Sequence, residues 1–199
     1  MGTVGIILLL LASFVLGSIP FGIIVAKAKG VDLKKVGSRN IGATNVLRSL
    51  GKWPAALTLV GDILKGTLAV AAGRYFGAGL LLEGLIGFSA ILGHNFSLFL
   101  GFKGGKGVAT SLGVLMFYTP RVALLTLVIW LGVAVFSKYS SLAALISFGL
   151  LPVNVFLLDS GDTGKMLTAI LITALIFVRH SDNINRLIKG TERKIRQRE

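Results

Sequence analysis

The chain has 199 residues, a net charge of +13 and a mean hydropathy of +0.83, with 54% hydrophobic and only 15% charged residues. A soluble domain carries roughly 25% charged residues, so this composition belongs to a membrane protein. Cysteine is absent, which excludes a disulfide framework and thiolate catalysis; with only two histidines there is no ligand set for a dedicated zinc or iron site, and neither metal nor cofactor is expected.

Seven apolar runs, at about 5–26, 55–73, 77–92, 108–119, 122–137, 142–158 and 166–178, predict an all-α polytopic membrane protein with about seven transmembrane helices in one domain spanning 1–199. Several runs fall short of the roughly 20 residues a spanning helix needs and are read as helices entering from polar re-entrant loops. Sidedness follows from the basic residues. Lys27, Lys29, Lys34, Lys35, Arg39, Arg48, Lys52, Lys103, Lys106, Lys138 and seven more between Arg179 and Arg198 fall on one side, against Arg74, Arg121 and Lys165 on the other. By the positive-inside rule the N-terminus is outside, the C-terminus is cytoplasmic, and the polar clusters face the cytoplasm.

The first run lacks a preceding basic residue and reads as an uncleaved helix, kinked at Gly17-Ser18-Ile19-Pro20-Phe21-Gly22. The segment 37–48, GSRNIGATNVLR, is too polar to face lipid. Ser38, Asn40, Thr44 and Asn45 supply neutral hydrogen-bonding groups, Arg39 and Arg48 supply charge, and no carboxylate opposes them. That inventory suits an anion site; judged alone, it equally suits helix-capping residues in a loop. A helix beginning near Gly42 would put Thr44 and Arg48 on one face. In the second run Asp62 and Lys65 are three residues apart and read as a structural ion pair. Glu83 has no partner nearby in sequence and reads as a wetted residue near the outer end, and His94 as a hydrogen-bonded structural residue.

The chain is organised around residues 101–110, GFKGGKGVAT. Gly104, Gly105 and Gly107 would let backbone N–H groups crowd an anion, Lys103 and Lys106 add charge, and a helix starting at Val108 would add its positive end. This describes a phosphate cradle, or else a basic loop meeting anionic headgroups. It is not a Walker A loop, since Leu100 stands where that motif needs its first glycine and Gly107 follows Lys106. Next, Tyr139-Ser140-Ser141 forms a turn whose hydroxyls either reach the site or cap a helix. His180 and Asn183, three apart, stand where the last run reaches the cytosol, and His180 is a candidate base. The basic tail reads as an anchor to anionic lipid. Without interleaved aromatic residues it is not expected to bind nucleic acid.

These clusters, GSRNIGATNVLR, GHNFSLFLGFKGGKGVATSLG and RHSDNINRLIKGTERK, together closely resemble the bacterial integral-membrane acyl-phosphate:glycerol-3-phosphate acyltransferases, the PlsY family. GSIPFG, the Asp62–Gly66 segment and Tyr139-Ser140-Ser141 extend the likeness over nearly the whole chain. One departure is Ser97, where the family pattern leads one to expect proline. The resemblance implies transfer of a fatty acyl group from acyl phosphate to the 1-position hydroxyl of glycerol 3-phosphate, giving lysophosphatidic acid and inorganic phosphate. It implies a multi-pass protein of the bacterial inner membrane that needs neither coenzyme A nor acyl carrier protein. Ser38 and Arg48 match its essential first motif, the glycines and lysines around 104–107 its phosphate-binding second motif, His180 and Asn183 its activity-critical third, and Glu192 a structural acid. The His-x4-Asp acyltransferases are excluded because Phe99 and Asn185 stand where aspartate is required. The alternative from another class is an organic-phosphate transporter or flippase, which could share basic loops and broken helices.

Overall fold

The computed structural model describes residues 2–159 and 162–195, and its regular elements are all helical. The first run forms α1 (Thr3–Ser18) and α2 (Phe21–Lys27), parted at Pro20, which removes a backbone donor there. A short α3 (Ala43–Leu50) precedes α4 (Lys52–Tyr75) and α5 (Leu80–Asn95). The glycine loop then leads into α6 (Val108–Tyr118), and Pro120 opens α7 (Pro120–Ser137). The chain closes with α8 (Ser140–Gly149), α9 (Leu151–Leu158), α10 (Thr163–Arg179) and α11 (Ser181–Ile188).

Four stretches, Thr3–Lys27, Lys52–Tyr75, Leu80–Leu100 and Pro120–Ser137, are long and apolar enough to cross a bilayer. The pairs α8–α9 and α10–α11, bent by 41° and 59°, raise that number to as many as six. The remaining apolar run is α6, whose 11 residues reach only about 16 Å, half the hydrocarbon thickness.

Packing has the polarity that lipid dictates. α1 turns Val4, Leu8, Leu11 and Val15 outward and buries Ser13, Gly17 and Ser18. Gly17 and Gly93 let the backbones of α1 and α5 touch, as small residues do between membrane helices. One apolar core, including Val114, Leu115, Val122, Phe148, Leu151 and Ile172, joins α6 through α10. A second, of Ala26, Leu33, Ile41, Val46 and Ala55, holds residues 28–42 against α2, α3 and α4. Leu33 and Val46 are fully buried there, each worth roughly 1.5–3 kcal/mol, so this segment is a folded part of the molecule.

The expected Asp62–Lys65 pair forms at 2.8 Å, with both side chains buried. Glu83 corrects its expectation. It is 6% exposed and bonded to Arg74 at 3.0 Å, a partner nine residues back across the α4–α5 turn. At the same end Asp159 accepts from Thr119 and pairs with Lys165 at 3.3 Å.

Candidate active site

α4 and α6 pack together as one wall, α7 and α8 as another, and a cavity of about 910 Å³ lies between them. Its deep part is apolar, lined by Leu59 and Ile63 of α4, Leu112 and Met116 of α6, Leu127 and Trp130 of α7 and Phe148 of α8. Its other end is polar, lined by Ser38, Arg39, Asn40, Thr44, Arg48, Lys106, Ser141, His180, Asn183, Arg186 and Glu192. The three sequence-distant motifs therefore share one chamber.

The first motif reaches the chamber through its backbone. Asn45, 1% exposed, accepts the Ser38 N–H on Oδ1 at 2.8 Å and donates from Nδ2 to the carbonyls of Val36 (3.2 Å) and Asn40 (2.9 Å). Gly37 and Arg39, on either side of Ser38, both adopt left-handed backbone, at φ 58° and 57°. A Cβ at Gly37 would strike Asn45 Oδ1. The turn thus lifts Ser38 to an exposed position at the cavity mouth. Gly42 precedes α3 as expected, and Thr44 and Arg48 both line the cavity one turn apart. Asn45, which the sequence marks as a substrate-binding candidate, lines the cavity, while its amide is engaged by this loop.

The glycine loop is built differently from the expected cradle. The Gly104 and Gly105 N–H groups donate to the carbonyls of Asn95 (3.1 Å) and His94 (3.0 Å), so they are not offered to an anion. These two positions need glycine for close approach, since a Cβ would overlap the His94 carbonyl at Gly104 and the His94 ring at Gly105. Their carbonyls accept from Arg179 at 2.9–3.1 Å. Lys103 is exposed and does not line the cavity. Lys106, Gly107 and the first turn of α6 do line it, and that turn directs unpaired N–H groups and the positive end of the helix into the chamber. Ser97 has φ −60°, the value proline would impose, so its replacement of proline leaves the local shape intact. Its hydroxyl donates to the Ser18 carbonyl at 2.6 Å.

On the third side the α10–α11 bend places His180, Asn183 and Arg186 on one face at steps of three. Lys106 Nζ donates to Asn183 Oδ1, and Asn183 Nδ2 donates to Glu192 Oε1 at 2.7 Å. Ser141 donates to the same oxygen at 2.8 Å, and Arg186 pairs with Glu192 Oε2 at 2.8 Å. His180, 3% exposed, places Nδ1 2.8 Å from the Ile176 carbonyl. A carbonyl can only accept, so that nitrogen carries the proton and the neutral ring keeps its lone pair on Nε2. Burial pulls the Lys106 ammonium down to about 8, against the opposing attraction of Glu192. Burial pushes the Glu192 carboxyl up, but its bonds to Ser141, Arg186 and Asn183 more than offset this and leave it below its usual range.

The tail corrects the expectation of a plain lipid anchor over residues 191–195. The Arg193 and Lys194 carbonyls accept from Arg48 at 2.9 and 3.1 Å, and the Ile195 N–H donates to the Lys138 carbonyl at 2.8 Å. Arg196 and Arg198 lie outside the described residues. Sequence reasoning missed Arg179 as the clasp of the glycine loop and Arg186 as a cavity residue. The spacing of three from His180 through Asn183 to Arg186 would have found the second; the first had no local signal.

The profile of the family described as glycerol-3-phosphate acyltransferase matches residues 7–190. A glycerol-3-phosphate acyltransferase of Mesorhizobium japonicum is 46% identical over 97% of this chain and 97% of its own length. One from Aquifex aeolicus is 44% identical over 94% of this chain and 97% of its own. The crystal structure of PlsY, an integral membrane glycerol 3-phosphate acyltransferase, in its glycerol 3-phosphate form superposes with a TM-score of 0.90 at 42% identity, covering 96% of this chain and 95% of that one. Its lysophosphatidic acid form gives a TM-score of 0.88 at 41% identity. With matches spanning nearly its whole length in sequence and in fold, the chain belongs to the glycerol-3-phosphate acyltransferase family.

Proposed function

We propose that the chain transfers a fatty acyl group from acyl phosphate to the 1-hydroxyl of glycerol 3-phosphate, releasing inorganic phosphate and lysophosphatidic acid. One observation carries this reading: a cation-lined polar chamber is continuous with an apolar region inside one cavity of about 910 Å³. The polar chamber matches two phosphorylated molecules in charge, and the apolar region matches an acyl tail in polarity.

An acyl phosphate already has a good leaving group, so the protein must juxtapose two anions and accept one proton. Arg48, Lys106, Arg186 and the first turn of α6 neutralise the phosphates and the developing charge on the carbonyl oxygen. Asn40 and Thr44 orient the glycerol, and Ser38 binds and orients at the mouth without forming an acyl-enzyme. Ser141 acts from behind, through Glu192 and Asn183. The 1-hydroxyl oxygen attacks the acyl carbon, the carbon–oxygen bond to phosphate breaks, and the hydroxyl proton passes to His180 Nε2 or to the departing phosphate. Orientation of this quality is worth an effective molarity of about 10⁵ M or more. The chemistry calls for no coenzyme A, acyl carrier protein or metal.

The chain forms one integral-membrane acyltransferase domain over 1–199, in the bacterial inner membrane. α6 makes the seventh crossing together with its loop, the N-terminus is outside, and the chamber opens to the cytoplasm. The excess of lysine and arginine in the loops that build the chamber supports that orientation.

The test is purified protein in detergent with palmitoyl phosphate, glycerol 3-phosphate and EDTA. Phosphate and lysophosphatidic acid should appear in equal amounts. Uptake of glycerol 3-phosphate into sealed vesicles with no acyl product would instead establish a transporter.

A further inference from the structure

Beneath the glycine loop lies a buried charge cluster to which the acyl-transfer chemistry above gives no task. Lys65 is 1% exposed. An ammonium has three donors and no acceptor; here it donates to the Ile19 carbonyl (3.0 Å), meets His94 Nδ1 at 2.8 Å, and is ion-paired with the Asp62 carboxylate at 2.8 Å. Lys65 therefore ties the kink after α1 to α4 and to the end of α5.

The tie to His94 has a structural consequence. His94 Nδ1 lies 2.8 Å from Lys65 Nζ and 3.5 Å from Asp62 Oδ1, so both members of the buried pair engage the same ring nitrogen. Ring orientation is fixed from below. The ring in turn underlies the glycine loop, so close to Gly105 that a Cβ there would overlap Nε2. The His94 carbonyl accepts the Gly105 N–H at 3.0 Å, and Arg179 clasps the loop from the opposite side through the Gly104 and Gly105 carbonyls. The next residue is Lys106.

We propose that Lys65 is a positioning residue for acyl transfer: acting through the His94 ring, it sets the glycine loop and thereby the seat of Lys106 against Asn183. The proposal rests on the reading of Lys106 as a phosphate ligand given above. It accounts for a buried lysine, a buried aspartate and a buried histidine meeting beside a chamber that holds anions.

Replacing Lys65 alone would strand the Asp62 carboxylate without its partner, so the variant to make is Asp62→Asn with Lys65→Met. The seat of Lys106 has its own readout. Arg179 of α10, His180 at the bend, Asp182 and Arg186 of α11, Glu192 of the tail and, across the chamber, Arg48 of α3 surround the ammonium, whose burial brings it to about 8. A loosened loop lets water reach Lys106, and its titration moves back toward the usual lysine value.

In purified enzyme the double variant should raise KM for glycerol 3-phosphate by about tenfold or more. It should also shift the alkaline limb of kcat/KM upward by about one pH unit. A merely structural pair would lower the melting temperature and leave both quantities unchanged in the folded enzyme, and that result overturns the proposal. If the double variant does not fold, Gly105→Ala decides, since it displaces the His94 ring while leaving Lys65 and Asp62 in place. The same two shifts are expected, and a wild-type limb and KM would overturn the proposal. Lys106→Met separates the two readings. Full activity in Lys106→Met refutes the phosphate-ligand role itself, whereas loss of activity there with no effect at Lys65 refutes only the positioning.

Discussion

Two walls of the chamber hold their functional groups in different ways. On the wall formed by α11 and the tail, side chains lock one another: Lys106 to Asn183, Asn183 to Glu192, and Glu192 to Ser141 and Arg186. On the 37–48 wall a single buried amide shapes the backbone that presents Ser38, and the main-chain carbonyls of Arg193 and Lys194 hold Arg48. The difference separates geometry set by the main chain from geometry set by a charge network. The first fails all at once when its staple is removed; the second degrades bond by bond.

Asn45→Ala tests the stapled wall and carries the largest expected effect. It leaves the Ser38 N–H and the Val36 and Asn40 carbonyls without this partner, at about 1–3 kcal/mol for each group that remains buried. Ser38 and Arg48 shift together, and a displacement of about 1 Å costs roughly 100-fold in rate. Steady-state kinetics and thermal unfolding in detergent should register both losses. An enzyme with near-wild-type kcat/KM would show that the turn holds its shape without the amide.

Glu192→Gln tests the networked wall. The amide oxygen can still accept from Ser141 and Asn183, so one charge-assisted bond to Arg186 is the main loss. At about 1.5–3 kcal/mol that is roughly 10- to 100-fold in kcat/KM. The same wall gives a pH signature. Because burial holds the free-enzyme Lys106 near 8, its charged form is complete well below that pH and disappears as pH rises through it. kcat/KM should therefore fall about tenfold per pH unit above pH 8. Bound phosphate favours the charged amine, so the limb of kcat should lie higher. A profile flat to pH 10 would show that Lys106 does not bind as a cation.

How much of this was legible in the sequence depends on whether the signal was local. All seven apolar runs fall in helices, two of them (5–26 and 142–158) broken into a pair, because lipid enforces apolar outer faces whatever packs inside. The polar clusters stood out because charge and amide groups at membrane depth need a reason to be there. Partnership across the fold was not legible. Gly104 and Gly105 look the same in sequence whether their N–H groups face an anion or their own α5 carbonyls. Glu83 finds Arg74 only because the α4–α5 turn folds back, and Arg179 reaches the glycine loop across more than seventy positions. In sequence the tail reads as an anchor because its basic residues are conspicuous, while its backbone carbonyls, which hold Arg48, leave no trace in composition.

The smallest expected effect tests whether backbone alone can carry a wall. At position 97 the chain departs from the proline that the family resemblance led us to expect, yet the backbone there already has φ −60° and ψ 124°, which proline favours. Ser97→Pro should therefore keep the turn that its carbonyl makes with the Leu100 and Phe102 N–H groups. It gives up the hydroxyl bond to the Ser18 carbonyl, a loss of about 1 kcal/mol, while the rigid ring restricts the unfolded chain and returns about 0.4–1 kcal/mol. The two nearly cancel. Melting temperature and kcat/KM should both stay close to those of the parent enzyme. A large loss of activity with an unchanged melting temperature would mean that the bond from Ser97 to the α1 kink helps to position the glycine loop, and the main-chain account of this turn would have to be replaced by a side-chain one.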